Sequence, residues 1–192
     1  MVKKILVLCG NPVADSFSGT LADRYQAAAE DAGHEVLRIN IADLDFDPVL
    51  RQGYNEEQPL EPDLINVQAA IRAVDHIVII YPNWWSAMPA ILKGLFDRIW
   101  QSGFAFTRQQ DSNKVDKLLS GRTARVIITS GTYHPFSAWW NYGDYTNEIQ
   151  YAILEFAGIR TSVTSLGPVQ SVGDEKRGEW IKEIEKLARR GV

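Results

Sequence analysis

Short apolar runs alternate with longer amphipathic ones along the whole chain. Lys3–Cys9 is apolar at nearly every position after its two lysines, the pattern of a strand buried on both faces. Ser18–Ala32 carries Leu21, Tyr25 and Ala28 at helical spacing, with Gly33 following as a stop. Glu35–Ile39 predicts a second strand. Residues 42–62, rich in Asp, Glu, Pro and Gln, predict an irregular excursion. A helix over Asp63–Ala73 leads to a strand over Asp75–Tyr81, built on Ile77-Val78-Ile79-Ile80. Met88–Gln101 predicts a helix with Ile91, Leu92, Leu95, Phe96, Ile99 and Trp100 on one stripe. A strand over Arg125–Thr129, a helix over Asp144–Ala157 stopped by Gly158, a strand over Arg160–Leu166 and a closing helix over Asp174–Arg190 complete the pattern.

Five strands separated by helices imply a parallel sheet covered on both faces. Right-handed crossovers leave few topologies. The expected fold is an α/β doubly wound sheet of five parallel strands, with helices on both faces and the flavodoxin-like order 2-1-3-4-5. A length of 192 residues suits one domain, 1–192. Ligands of such sheets bind outside the carboxyl ends of the strands. The segments after strands one, three and four are therefore the informative ones.

The first of these is Gly10-Asn11-Pro12-Val13-Ala14-Asp15-Ser16-Phe17-Ser18. It has one glycine, where a dinucleotide fingerprint needs three, and it has no Gly-Lys-Ser/Thr P-loop. Ser16 and Ser18 bring hydroxyls to a helix N-terminus, which favours phosphate. The alternative is that Asp15 or Ser16 only caps the helix. The second segment, Tyr81-Pro82-Asn83-Trp84-Trp85-Ser86-Ala87-Met88-Pro89, holds adjacent tryptophans. Their flat faces suit an aromatic ring system, or they pack beneath the next helix. The third is Thr129-Ser130-Gly131-Thr132-Tyr133-His134-Pro135-Phe136, continuing to Trp139-Trp140-Asn141-Tyr142-Gly143-Asp144. Gly131 permits close backbone approach. The aromatic stretch suits a pocket wall or a dimer interface.

Composition narrows the partners. Apolar residues make up 45% and charged ones 23%, an ordinary globular mix. A net charge of −4 and a pI of about 5.4 argue against nucleic acid. One cysteine, Cys9, and three histidines offer no metal-ligand spacing. No stretch approaches the ~20 apolar residues that span a bilayer. The short run Ile5–Leu8 is ended by Gly10-Asn11-Pro12, too early for a signal peptide. A cytoplasmic location with no membrane insertion is expected.

Tyr81-Pro82-Asn83-Trp84-Trp85-Ser86-Ala87-Met88-Pro89-Ala90-Ile91-Leu92-Lys93-Gly94-Leu95-Phe96-Asp97-Arg98, then Gly103-Phe104-Ala105-Phe106, resembles the NAD(P)H:quinone oxidoreductases of flavodoxin-like fold. That group includes DT-diaphorase, bacterial modulators of drug activity and ancillary proteins of potassium efflux systems. The resemblance covers about residues 3 to 168. It implies that Asn11, Ser16, Phe17 and Ser18 hold the ribityl-phosphate of a flavin. Pro82, Asn83, Trp84, Trp85 and Ser86 line the isoalloxazine. Thr129, Ser130 and Gly131 supply polar backbone at its pyrimidine edge. FMN is expected, with FAD the alternative, because no segment is an evident adenine site. NADPH or NADH is the implied donor, a quinone or similar small molecule the acceptor, and a homodimer the implied assembly. Asn11 stands where relatives often carry His, and Ser130 where Gly is usual. The family's relay Tyr and His fall on Phe136 and Tyr142, which makes Tyr142 the expected catalytic residue. The competing functions are a flavodoxin-type electron carrier and a regulatory subunit of a potassium efflux system.

Overall fold

The computed structural model describes residues 1–13, 15–109, 114–131 and 145–192. In chain order the elements are β1 (Lys4–Cys9), α1 (Phe17–Asp31), β2 (Glu35–Asn40), α2 (Pro62–Ala73), β3 (His76–Pro82), α3 (Ala90–Ile99), β4 (Phe106–Arg108), β5 (Val115–Lys117), β6 (Thr123–Thr129), α4 (Glu148–Glu155), β7 (Arg160–Leu166) and α5 (Asp174–Arg190). A single 3₁₀ turn over Ile41–Asp43 follows β2, and α4 is a wide π-helix.

The parallel sheet has five strands in the order β2-β1-β3-β6-β7. This is the expected arrangement, with one addition. The hairpin of β4 and β5 forms a separate antiparallel pair that the sequence reading passed over, so the sheet's last two strands are the chain's sixth and seventh.

Alternation within the strands explains their continuous apolar character. Leu6, Leu8, Ile77, Ile79, Tyr81, Val126 and Ile128 face one layer, with Leu64, Val67 and Ile71 of α2, Leu92, Leu95 and Ile99 of α3, and Ile149 and Ile153 of α4. Ile5, Val7, Cys9, Val78, Ile80 and Ile127 face the other, with Leu21, Tyr25 and Ala28 of α1 and Trp180, Ile184 and Ala188 of α5. Both faces are dry, so the central strands have no polar side. The edge strands β2 and β7 keep polar alternation because one flank stays open.

Helix bounds shift for local reasons. The third helix begins at Ala90 rather than Met88, because Pro89 holds extended backbone at its N-cap. It ends at Ile99, and Trp100 turns inward to donate its indole N–H to Ile153 O at 2.9 Å. The helix expected over Asp144–Ala157 is seen as Glu148–Glu155, and Asp144 lies outside the described residues. The polar excursion of residues 44–61 is not loose. Arg98, wholly buried on α3, donates to Asp47 O, to Pro59 O at 2.7 Å and to Glu61 Oε2 at 2.8 Å. Gly94 lets Pro48 press against the same helix, since a Cβ there would sit 2.5 Å from Pro48 Cβ.

Candidate active site

β1 lies between β2 and β3, so the connections from β1 and β3 depart in opposite directions along the sheet. That leaves a crevice at the carboxyl ends of β1 and β3. Hydrogen bonds fasten three loops around it. Gly10 N donates to Ile80 O at 2.8 Å, and Asn83 N donates to Thr129 O at 2.7 Å. Ser18 Oγ lies 3.2 Å from Thr129 Oγ1, tying the start of α1 to the end of β6. Ser130 N donates to Leu166 O at 2.8 Å, and Ser130 O accepts from Val169 N at 2.9 Å. Gly10 is required by space, as a Cβ would lie 2.6 Å from Leu92 Cδ2.

The residues singled out in the sequence divide by what their groups do. Ser16 is the N-cap of α1, its Oγ accepting from Gly19 N at 3.1 Å. Its hydroxyl proton remains available to a second acceptor. Ser18 is buried and its hydroxyl faces Thr129, so only its backbone faces the helix end. Asn11 is buried, and its Oδ1 accepts from Val13 N at 3.0 Å to shape the loop. Phe17 leans on Trp180 with ring centroids 6.3 Å apart. Thr129 and Ser130 are buried and Gly131 is exposed.

The second loop departs most from an ordinary connection. Neither tryptophan packs beneath α3: Trp84 is 44% exposed and Trp85 is 100% exposed. Trp84 N donates to Ala87 O at 2.9 Å and Ala87 N to Trp84 O at 3.1 Å, closing a two-residue turn. Its central residues Trp85 and Ser86 have φ of 54° and 63°. That is the signature of a type I′ turn, normally built from Asn and Gly. Such strain gathers at functional loops. At the foot of the loop, Asn83 Oδ1 is buried and has no hydrogen-bond partner. A buried amide oxygen in that state is unfavourable until a donor reaches it. Beneath it, burial pushes the Tyr81 phenol well above its usual range, with the charge of Glu148 adding to the shift.

Tyr142, the expected catalytic residue, lies outside the described residues, as do His134, Phe136, Trp139 and Trp140. Among the described residues no group of His, Cys, Asp and Glu could hold a metal, and no helix is long and apolar enough to cross a membrane. A separate cleft of about 840 Å³ runs between the excursion, α3 and α4, lined by Tyr54, Lys93, Phe96, Trp100, Phe106 and Phe156. It contains none of the strand-end loops. Sequence reasoning also missed the loop after β7, where Gln170 comes beside Gly131. The rule that ligands gather at strand ends applies to that loop as well.

The sequence profile of the flavodoxin-like fold family matches residues 3–187. The chain belongs to that family. Among its relatives is NAD(P)H dehydrogenase [quinone] 1 of Rattus norvegicus, 24% identical over 98% of this chain and 76% of the rat protein. Among solved structures, the NAD(P)H:quinone oxidoreductase from Methanothermobacter marburgensis superposes with a TM-score of 0.81 at 23% identity, covering 99% of this chain and 96% of its own. An FMN-dependent NADH-azoreductase from Bacillus anthracis, solved with FMN, gives a TM-score of 0.76 at 19% identity, covering 99% of each chain. These two structures share the fold of this flavodoxin-like protein.

Proposed function

We propose that this chain is a flavin-dependent NAD(P)H dehydrogenase that reduces quinones or related small acceptors. The observation that carries the reading is Asn83 Oδ1, a buried acceptor without a donor beside two exposed tryptophans at the crevice of the sheet. A flavin ring fits that acceptor and those rings in chemistry, since its pyrimidine edge has an N–H and its faces are flat and apolar. The quinone dehydrogenase and FMN-dependent azoreductase among the similar proteins support the same class.

FMN is the favoured cofactor. Bound there, it would supply two-electron redox chemistry between NADPH or NADH and the acceptor. The chain's own residues bind and orient. The first-turn N–H groups of α1, at Phe17 and Ser18, and the Ser16 hydroxyl hold the phosphate. Asn11 shapes the turn that brings them together. Pro82, Asn83, Trp84, Trp85 and Ser86 border the ring, and Thr129, Ser130 and Gly131 line its polar edge with fixed backbone dipoles. Donor and acceptor share one open face, which predicts ping-pong kinetics. Tyr142 assists by hydrogen bonding to the acceptor oxygen. With a phenol pKa near 10 it is a weaker acid than His, and its contribution is about tenfold. The aromatic residues Trp139, Trp140 and Tyr142 of the sequence favour a homodimer, as does the family resemblance.

The deciding experiment mixes purified protein with FMN or FAD, removes free flavin and reads the visible absorbance. A retained flavin that NAD(P)H bleaches, and that a benzoquinone re-oxidises without a partner reductase, supports the reading. Colourless protein that binds neither flavin at micromolar concentration overturns it. Bound flavin that NAD(P)H leaves oxidised, but a separate reductase reduces, makes the chain an electron carrier instead.

A further inference from the structure

The loop from β7 to α5 is fixed by bonds to its neighbours. Ser130 N donates to Leu166 O at 2.8 Å, and Val169 N donates to Ser130 O at 2.9 Å. Ser171 N closes a turn on Pro168 O at 3.2 Å, and Arg177 braces the loop from α5 by donating to Val169 O at 2.8 Å. Gln170 stands between these fastenings. Its backbone is held, while its side chain is exposed and makes no hydrogen bond among the described residues.

That side chain stands beside Gly131. A Cβ on Gly131 would find Gln170 Oε1 at 3.5 Å and Cδ at 3.8 Å, and among the described residues nothing else within 4 Å. The space in front of the turn is therefore open apart from one carboxamide. A carboxamide has an acceptor on one edge and two N–H donors on the other, and an unbonded one turns either way. The segments around the crevice, 10–16, 82–89, 130–147 and 167–173, contain no Lys or Arg, while Asp15 and Asp144 add negative charge. The pyrimidine end of a flavin is neutral when oxidised and carries negative charge over N1 and O2 when reduced. Ser130 N, the backbone donor next to Gly131, is already bonded to Leu166 O. Asn83 Oδ1 is an acceptor, which suits the N–H of the ring and not its anionic edge. Gln170 brings free N–H donors to the open side of Gly131.

We propose that Gln170 tunes the redox potential of the flavin site: its Nε2 donates to the N1–O2 edge and favours the reduced, anionic form over the oxidised one. The proposal rests on the flavin reading above. A hydrogen bond to a charged acceptor is about twice as strong as one to a neutral acceptor, so the same donor binds the two forms unequally. That inequality is a shift in midpoint potential.

The test loads purified protein with FMN and measures its midpoint potential by equilibration with a reference dye. Kd for oxidised FMN is measured in parallel by fluorescence titration. Gln170→Leu removes the donors without changing charge and is the deciding variant. It is expected to weaken reduced FMN about tenfold relative to oxidised FMN, which lowers the midpoint by about 30 mV for a two-electron couple. Kd for oxidised FMN should stay within about twofold. Gln170→Glu, which replaces donors by a negative charge, should lower the midpoint further. Gln170→Lys, which keeps a donor and adds positive charge, should raise it above wild type. The side chain is exposed, so these variants keep the fold. A midpoint in Gln170→Leu equal to wild type overturns the proposal. So does an equal loss of affinity for both redox forms, which makes Gln170 a packing contact. Wild type that binds no flavin removes the functional reading and this inference together. Wild type whose bound FMN is bleached by NAD(P)H, with one midpoint shared by all the variants, removes this inference alone.

Discussion

Two connections leave the carboxyl end of the sheet and use their residues in opposite ways. The 44–61 excursion after β2 is rich in Asp, Glu, Pro and Gln, the composition of a solvated loop. Its polar groups are nevertheless spent on holding it to α3. Arg98 gathers Asp47 O, Pro59 O and Glu61 into one buried clamp, and Gly94 clears the space for Pro48. The loop after β3 carries two tryptophans, the composition of a core. It holds them in solvent on a strained turn, with an unsatisfied amide at its foot. Tethering, rather than polarity, separates scaffold from site. A polar loop clamped onto a buried helix residue is architecture, and an apolar loop left exposed on a strained turn is poised for a ligand.

The sharpest way to break that comparison is to remove the clamp. Arg98→Met should destabilise the fold by about 3 kcal/mol, the low end for breaking a buried ion pair, because Glu61 is part exposed and stays hydrated. Urea unfolding at pH 7 reads the loss. If the clamp is scaffold alone, the folded variant keeps its flavin affinity within about twofold. A stability loss under 1 kcal/mol would show that the excursion holds itself down by other means.

The opposite end of the sheet offers a second scaffold residue, His76. Its Nδ1 lies 2.7 Å from Thr123 Oγ1, and its Nε2 is buried without a partner. Burial first, then the charges of Lys3 and Arg125, bring its pKa down to about 3 from 6.5. The folded protein keeps the imidazole neutral while the unfolded chain takes up a proton below pH 6.5. Stability is then complete above pH 6.5 and falls as the pH drops toward 3, by about 1.4 kcal/mol per pH unit from this one group. Urea midpoints at pH 7, 6 and 5 should show the slope in wild type and a flatter one in His76→Gln. Equal slopes would assign acid sensitivity to other groups.

Trp85 tests the site half of the comparison. Trp85→Ala removes a wholly exposed ring, so unfolding free energy should stay within about 0.5 kcal/mol. Ligand affinity should fall by about 0.5–1.5 kcal/mol, the worth of an aromatic contact. Fluorescence titration of FMN and steady-state KM for NAD(P)H together show which ligand the ring touches. Unchanged affinity for all of them, with stability lost instead, would turn Trp85 into a packing residue.

Much of this division was legible in the sequence, because β1 is apolar at every buried step, β3 is so at every one after His76, and each sheet strand is followed by its own segment. Their loops could therefore be located at the crevice before any coordinates. What escaped depends on contacts distant in sequence. Ser18 looked like a ligand hydroxyl, but its partner Thr129 is 111 residues away. Arg98 stood in the sequence only as the last residue of the family-like run, but its place is defined by Glu61, 37 residues earlier. The hairpin strands Phe106–Arg108 and Val115–Lys117 are too short to show a period of two. The turn at Trp85-Ser86 escaped because neither residue advertises a positive φ.

That turn gives the smallest and most discriminating expected effect. A non-glycine residue in the left-handed region is strained by about 1–2 kcal/mol, while glycine carries an unfolded-state entropy penalty of about 0.5–1 kcal/mol. At Ser86, with φ of 63°, the balance favours Ser86→Gly by about 0.5 kcal/mol, read as a higher urea midpoint with an unchanged m-value. Ser86→Val should move the other way by about 1 kcal/mol, since a branched Cβ fits that region worst. If strain in the turn serves only to hold Trp85 outward, Ser86→Gly keeps the fold more stable but lets the ring wander. Flavin affinity then falls slightly while stability rises. That opposite movement separates a loop shaped for a ligand from one shaped for the fold, since a scaffold turn would gain stability with no loss of binding.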